Sequence, residues 1–170
     1  MTLAAAAPSA AATDEETVPV LLLGIGNLLM GDEGVGVHVV RHLEGLPLPE
    51  GCACLDGGTG SLQLLEPLER AERIILVDAT VDGAPVGTLR RLRPRFSTDY
   101  PRTLTAHDIG LKDLLDVFYL LGAEPDVTLF AVSIAPLQEM GLELSEELRP
   151  RVPEIAQRVL AEVMKTPPGR

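Results

Sequence analysis

Two adjacent acids, Asp32 and Glu33, lie in the segment GIGNLLMGDEGVGVHVV (residues 24–40), where a glycine-rich loop leads from an apolar run into a helical pattern. Loops of this kind often bind phosphate groups, but the dinucleotide-binding fingerprint requires a third glycine where this chain has Leu29. Two carboxylates at the start of a helix also repel a phosphate, because they occupy the end of the helix dipole that would attract it. The segment therefore favours a cation, with plain helix capping by the two acids as the alternative.

Two more polar residues are predicted to reach the same edge of the fold. Asp78 ends the buried apolar run IILV (residues 74–77), and His107 begins a helix predicted over residues 107–121. Sites in open α/β sheets form at the carboxyl ends of the strands, so both should converge with Glu33, although each alone is also typical of an ordinary element end. The helix dipole favours a neutral His107 and an ionised Glu33. Two carboxylates and a neutral imidazole suit a divalent transition ion with open coordination positions.

Other segments offer weaker chemistry. His38 and His42 have the i, i+4 spacing of a metal-binding pair, but they share the charged face of their helix, and we interpret them as solvated. The chain has no G-x-S-x-G motif and no cysteine with an evident histidine partner. The segment DGGTG lacks the lysine of a phosphate-binding loop, and we expect a tight turn along which an extended substrate peptide passes. The predicted substrate-binding residues are Asp56, Gly57, Gly58 and Thr59.

Composition limits the partners and the compartment. The formal net charge of −11 disfavours nucleic acid and anionic membranes as partners. No apolar run approaches the roughly 20 residues that span a bilayer, and the alanine-rich start lacks the basic residues of a secretory signal. Cys52 and Cys54 lie on one face of a predicted strand, which suits packing rather than a disulfide. We therefore expect a cytoplasmic protein.

The hydrophobic pattern alternates between strands and helices. Residues 1–16 are predicted to be a disordered or weakly ordered tail, and residues 17–166 a single α/β domain. Only residues 79–86 separate the strand at 74–77 from the next one, which is too few for a parallel crossover, so the strand at 87–92 should run antiparallel. The predicted fold is a three-layer α/β/α sandwich with a twisted, mostly parallel five-stranded sheet. The predicted strands span residues 18–23, 52–55, 74–77, 87–92 and 126–134, and the predicted helices span 61–70, 107–121 and 145–164, besides one that begins at residue 33.

The chain resembles the hydrogenase maturation endopeptidases in five segments, which occur in the family's order and spacing: GIGNLLMGDEGVGVHVV, LDGGTG, ILVDA, AHDIGL and APLQEMGLELS. The likeness runs from about residue 20 to residue 164. Members of this family remove the C-terminal extension from the large-subunit precursor of nickel–iron hydrogenases. The resemblance therefore implies a sandwich fold, endopeptidase activity, and the hydrogenase large-subunit precursor as the partner. We also expect a monomer.

The resemblance also implies roles for individual residues. It places the nickel-binding and catalytic positions at Glu33, Asp78 and His107, with the nickel supplied inside the precursor. The Asp-Glu pair is a variant that the family accepts alongside two aspartates. No serine or cysteine nucleophile is evident, so water is the preferred attacking group, with Asp78 as a possible base. Whether nickel polarises the scissile carbonyl or only positions the peptide stays open.

Two other classes of protein remain as alternatives. A non-catalytic nickel metallochaperone or scaffold would use the same three ligands, and the sequence separates it poorly from a protease. A nucleotide-binding α/β protein is disfavoured by Leu29 and by the acids at the helix start.

Overall fold

A computed structural model of the chain describes residues 17–59, 62–94, 99, 101, 116 and 126–165. The strands are β1 (Val18–Gly24), β2 (Cys52–Asp56), β3 (Ala71–Thr80), β4 (Leu89–Leu92) and β5 (Asp126–Ser133). The α-helices whose bounds lie within the described residues are α1 (Val35–Glu44), α2 (Leu65–Glu69) and α3 (Val152–Val163). The tail predicted at residues 1–16 lies outside the described residues, as does the helix predicted at residues 107–121 apart from position 116.

The five strands form one mixed sheet in the order β2-β1-β3-β5-β4. β1 pairs in parallel with β2 and with β3, and β3 pairs in parallel with β5. β4 pairs antiparallel with β5 at the edge of the sheet. The predicted mostly parallel sheet and its antiparallel strand are therefore confirmed. β4 begins at Leu89 rather than at residue 87, because the N–H of Thr88 donates to the Pro85 carbonyl at 3.0 Å in the preceding turn.

Helices cover both faces of the sheet. Successive residues of a strand point to opposite faces, and Ile75 and Leu76 of β3 accordingly belong to different hydrophobic clusters. Ile75 packs in the cluster that contains Val39 of α1 and Val159 of α3, whereas Leu76 packs in the one that contains Leu68 of α2. The predicted three-layer sandwich is confirmed. No helix within the described ranges is long and apolar enough to cross a membrane.

Each of the helices α1, α2 and α3 follows a short 3₁₀ helix and begins later than the sequence predicts. The 3₁₀ helices are Gly31–Gly34, Leu62–Leu64 and Arg149–Arg151. α3 begins at Val152 rather than near residue 145, with Pro153 in its first turn, where the missing N–H of proline breaks no helical hydrogen bond. The hydrophobic period therefore identifies these three helices, but it does not identify the residue at which regular α-helix begins.

β3 extends past its predicted end. The sequence predicts a strand at residues 74–77 that stops at Asp78, but β3 continues to Thr80. It does so because β5 pairs alongside it as far as Thr80 and Ser133. Asp78 consequently lies inside a strand, opposite Ala131, and not in the turn that follows.

A buried carboxylate connects α3 to the sheet. Glu162 is 1% exposed, and it accepts hydrogen bonds at 2.8 Å from Arg91 Nε of β4 and from Lys165 Nζ. Arg73, at the start of β3, donates to the Glu162 carbonyl at 2.8 Å. The hydrogen bonds from Arg91 are the main cause that lowers the pKa of Glu162 to about 2, from its usual 4.5. Because β3 begins at this edge, the cluster lies away from the carboxyl ends of the parallel strands and is structural.

Candidate active site

The winding direction of the sheet changes between β1 and β3, and we name the region beyond the carboxyl ends of these two strands the crevice. The chain passes from β1 to β2 on one side, and it then returns to place β3 on the other side of β1. Open α/β sheets form their ligand sites at such a switch point, beyond the carboxyl ends of the strands. Gly24 ends β1 and is paired with Asp56 of β2 and with Val77 of β3. Asp78 and the segment at 56–59 therefore lie at the same edge of the sheet.

A tight loop after β1 brings Glu33 back to this edge. Gly26 has a φ of +154°, and a Cβ at that position would lie 2.1 Å from the carbonyl oxygen of Glu33. The N–H of Gly26 also donates to the Gly58 carbonyl at 2.7 Å. A glycine is required here because the loop backbone touches the backbone of the 3₁₀ helix that carries Glu33.

Gly36 allows α1 to lie directly on the strand ends. A Cβ at this position would be 2.2 Å from the carbonyl oxygens of both Ile25 and Val77, so only glycine fits. Val77 immediately precedes Asp78, and Gly36 follows Glu33 by three residues. The 3₁₀ helix Gly31–Gly34 also contacts β3. The structure thus brings Glu33 and Asp78 to the same edge of the sheet.

Asp78 is removed from solvent. Its exposed fraction is 0%, and its Oδ1 accepts a hydrogen bond from the N–H of Ala79 at 2.7 Å. Val77 is the last residue of β3 that pairs with β1, and Asp78 follows it directly. Its carboxylate is therefore held in a fixed orientation at the crevice, where electrostatic interactions are stronger than in water.

The two adjacent acids have different surroundings. Asp32 is 3% exposed, and its two carboxylate oxygens accept hydrogen bonds from the N–H of Ser145 at 2.7 Å and from its Oγ at 2.8 Å. The N–H of Asp32 donates to Gln138 Oε1 at 3.0 Å. Glu33 is half-buried. Neither α1 nor the 3₁₀ helix before it has a side-chain cap among the described residues, so helix capping does not account for Asp32, which instead ties this loop to the segment at 138–145.

The third predicted ligand, His107, lies outside the described residues. In the part of the chain that the structure describes, no group of three or more His, Cys, Asp or Glu side chains is placed to hold a metal ion. That part of the site contributes two carboxylates, Glu33 and Asp78. A metal ion bound there needs at least one further donor, from the rest of the chain or from a substrate.

Known proteins identify the family. The sequence model of a family described as hydrogenase maturation protease matches residues 37–162. The chain is 36% identical over 159 residues to the hydrogenase expression/formation protein HupM of Azotobacter chroococcum mcd 1, covering 87% of this chain and 75% of that protein. The chain belongs to the hydrogenase maturation protease family. It is also 33% identical over 149 residues to the hydrogenase 2 maturation protease of Escherichia coli strain K12, with 85% of this chain and 88% of that protein covered.

The three-dimensional comparison agrees. The hydrogenase maturating endopeptidase HybD of E. coli superimposes with a TM-score of 0.70 at 31% identity, over 86% of this chain and 90% of that chain. The family resemblance and the sandwich fold inferred from the sequence are both confirmed. As a member of the maturation protease family, the protein is an endopeptidase, and the crevice that holds Glu33 and Asp78 is the candidate active site of this protease.

The predicted substrate-binding turn lines a cavity beside this site. Asp56 Oδ1 accepts from the N–H of Gly58 at 3.0 Å, and its Oδ2 forms an ion pair with Arg41 Nη2 at 2.8 Å. These contacts fix the turn predicted from DGGTG. Beside it is a cavity of about 550 Å³, lined by Leu55, Asp56, Gly57, Gly58, Thr59, Gln63, Leu64 and Pro67. A fixed turn along a cavity suits a protease of this family, and substrate binding by the four predicted residues stays a prediction.

His38 and His42 do not lie on a fully solvated helix face. Both are half-buried, and they border a second cavity of about 380 Å³ together with Arg41 and Arg149. The Nε2 of His38 is buried, and within the described residues it has no hydrogen-bond partner. The helix pattern places both histidines on the polar side of α1, but the segment around Arg149 packs close enough to shelter them.

The cysteines are structural. Cys52 and Cys54 are both free thiols in β2 and both half-buried. Burial is the main cause that raises the pKa of Cys54 to about 11. Burial also raises the pKa of Cys52, against a smaller opposing effect from Arg73. Since the thiolate is the nucleophilic form, neither residue is suited to covalent catalysis.

Three residues that support the site were not singled out from the sequence. Gly36 positions α1, while Gln138 and Ser145 hold Asp32. Gln138 and Ser145 both lie in APLQEMGLELS, one of the five segments that resemble the family. That resemblance is the only sequence signal that points to a role for them near the site. Their role depends on a contact across more than a hundred residues of chain, which periodicity and local spacing do not reveal.

Proposed function

We propose that this protease removes the C-terminal extension of a nickel–iron hydrogenase large-subunit precursor after nickel has been inserted. In this proposal the nickel is part of the substrate, and Glu33, Asp78 and His107 recognise it. The observation that carries the proposal is the approach of α1 and its preceding 3₁₀ helix to β3, which holds two carboxylates at one edge of the sheet. Carboxylates and an imidazole are suitable ligands for a divalent transition ion whose other positions are filled by the precursor.

The described residues support hydrolysis by water. The thiols of β2 have raised pKa values, so a thiolate nucleophile is disfavoured. The proposed step is attack of a water oxygen on the scissile carbonyl carbon, with Asp78 accepting the water's proton. That proton then passes to the leaving amine as the C–N bond breaks. The N–H of Ala79 fixes the orientation of the Asp78 carboxylate for this role.

The chain's charge supports a protein partner with basic surface. A formal net charge of −11 gives an electrostatic component to docking, and we expect a basic patch on the large subunit to meet it. Because electrostatic attraction between exposed charges is screened by salt, processing at low precursor concentration should slow as the ionic strength rises.

The decisive experiment mixes the purified protein with nickel-loaded precursor and follows the precursor's mass. We expect a single mass loss from the precursor's C-terminus, and no cleavage of metal-free precursor or of casein. Efficient hydrolysis of casein, or equal cleavage of metal-free precursor, would contradict nickel-dependent recognition. Binding of nickel-loaded precursor without any mass loss would favour a metallochaperone or scaffold.

Substitutions separate ion binding from structure. Glu33→Gln keeps the shape of the side chain but removes its charge, so it should abolish processing while the protein melts within a few degrees of wild type. His107→Ala should do the same. A nickel or cadmium soak of crystals should place an ion about 2.0–2.4 Å from donor atoms of Glu33, Asp78 and His107. Normal processing by Glu33→Gln would remove the basis for the metal site.

A further inference from the structure

Four large apolar side chains are exposed on two loops beside the candidate active site. Among the described residues, these side chains have exposed fractions of 60% for Leu29, 89% for Leu137, 83% for Met140 and 62% for Leu142. Together we name them the apolar patch. Scattered exposed apolar residues are ordinary on protein surfaces, but a contiguous group on adjoining loops is typical of an interaction site.

Backbone hydrogen bonds join the two loops that carry the apolar patch. The N–H of Gly141 donates to the Leu29 carbonyl at 3.0 Å, and the N–H of Gly31 donates to the Gly141 carbonyl at 2.9 Å. Met140 and Leu142 flank Gly141, so these bonds place both next to Leu29. The loops therefore hold the patch in a defined arrangement, which lowers the entropic cost of binding a partner there.

A side-chain bridge fixes the remaining patch residue relative to the site. Leu137 is followed by Gln138, whose Nε2 donates to the Ala135 carbonyl at 2.7 Å and whose Oε1 accepts from the N–H of Asp32 at 3.0 Å. Asp32 precedes Glu33 in the chain. The apolar patch thus adjoins the 3₁₀ helix that carries Glu33.

The surroundings of the patch indicate the chemistry of its partner. The same segment exposes four carboxylates, and the Glu143 side chain, 81% exposed, is only loosely paired with Arg149 at 3.8 Å. These acids are Glu139, Glu143, Glu146 and Glu147. An apolar surface with an acidic border is complementary to apolar side chains flanked by lysine or arginine. A second copy of this chain would present the same acids and is a poorer match.

We propose that the apolar patch is the docking surface for a segment of the hydrogenase precursor in which exposed apolar residues are flanked by basic ones. This proposal rests on the proposed function, and it deepens it by assigning substrate selection to a surface separate from Glu33 and Asp78. Docking at the apolar patch supplies affinity for the folded precursor, and the two carboxylates supply the response to the metal ion.

The test measures the binding of metal-free precursor, which the proposed enzyme does not cleave, to wild-type protein and to a Leu137→Ser/Met140→Ser double variant. We expect the double variant to bind at least about tenfold more weakly, because two apolar side chains no longer leave water on docking. Met164→Ser is the matched control, since Met164 is 72% exposed at the end of α3, and its affinity should equal that of wild type. Far-UV circular dichroism and thermal melts should show that all three proteins are folded.

The outcomes distinguish this proposal from the proposed function. Equal affinity of the wild type and the double variant would overturn docking at the apolar patch, as would failure of wild type to bind metal-free precursor. A change only in self-association, seen by sedimentation, would assign the patch to a second copy and would also overturn it. Patch-dependent binding of the precursor without any cleavage of its nickel-loaded form would support docking and contradict the endopeptidase role.

Discussion

Gly36→Ala tests whether close contact between α1 and β3 creates the active site. A methyl group at this position would begin 2.2 Å from the carbonyl oxygens of Ile25 and Val77, whereas ordinary contact is 3.4–4 Å. The helix start must therefore retreat by about 1.2 Å, or the strand ends must distort. Both oxygens belong to backbone, and the Ile25 N–H is itself bonded to the Val77 carbonyl at 2.9 Å, so we expect the helix to move.

The expected magnitudes follow from this retreat. Overpacking costs about 1–3 kcal/mol, and alanine regains about 1 kcal/mol over glycine in a helix, so the free energy of unfolding should fall by no more than roughly 2 kcal/mol. Glu33 lies less than one helical turn before position 36 and should be displaced from Asp78 by a similar distance. A misplacement of about 1 Å costs on the order of a hundredfold in rate when geometry controls the chemistry. Processing should therefore suffer far more than stability.

Urea unfolding measures the first quantity and the initial rate of precursor processing measures the second. Gly45→Ala is the matched control, because Gly45 ends the same helix with a φ of −80°, and a Cβ there meets only the His42 carbonyl, at 3.4 Å. That variant should keep the wild-type rate and change stability by less than about 0.5 kcal/mol. If Gly36→Ala processes precursor at the wild-type rate, the approach of α1 to β3 does not set the catalytic geometry.

Three other outcomes are expected. The folded-state pKa of Glu162, about 2, lies below its usual 4.5, so its contribution is complete above about pH 4.5 and is lost as the pH falls towards 2. Glu162→Gln should therefore lower the free energy of unfolding by about 3 kcal/mol at pH 7. Below pH 4.5 the free energy of unfolding of the variant should fall less steeply than that of wild type, and an unchanged pH profile would contradict this. Asp32→Asn should lower the free energy of unfolding by about 1–3 kcal/mol, because the amide nitrogen that replaces one carboxylate oxygen cannot accept a hydrogen bond from Ser145. Urea unfolding measures this change, and an unaltered midpoint would show that these hydrogen bonds do not stabilise the fold. Cys54, with a pKa of about 11, should be about a thousandth thiolate at pH 8, so iodoacetamide should label it far more slowly in the folded protein than in urea; equal rates would show that it is not sheltered.

Local patterns were sufficient to predict the architecture. The apolar run of β3 indicates a strand covered on both faces, and the observed sheet has helices on each side. The direction of β4 followed from the short connection before it, which cannot contain a parallel crossover. Both inferences use only neighbouring residues, and for that reason they succeeded without knowledge of the rest of the fold.

The positions that depend on distant contacts could not be predicted in the same way. Asp78 was expected at a strand end, but pairing with β5, about fifty residues later, carries β3 on to Thr80. Asp32 could be recognised as a polar residue at a helix start, but its partner Ser145 is 113 residues away. His107 was predicted from its place at a helix start, and it lies outside the described residues. Chain spacing therefore predicts carboxylates at this edge, but it does not predict the tertiary contacts that each of them makes.

The two adjacent acids make different contacts, and this difference would connect the proposed docking surface to the proposed active site. Asp32 binds Ser145 and, through its backbone, Gln138, so the loop that ends at Glu33 is braced by the same segment that carries Leu137 and the other residues of the apolar patch. If docking and cleavage proceed as proposed, the segment that a precursor contacts at the apolar patch is the same segment that holds Asp32 in place. Binding energy gained away from the reacting atoms would then help to hold Glu33 at the edge of the sheet that carries Asp78. Under this proposal an unrelated protein that cannot fill the apolar patch gains no such positioning, so selectivity for the precursor would require no specific recognition of the peptide bond that is cut.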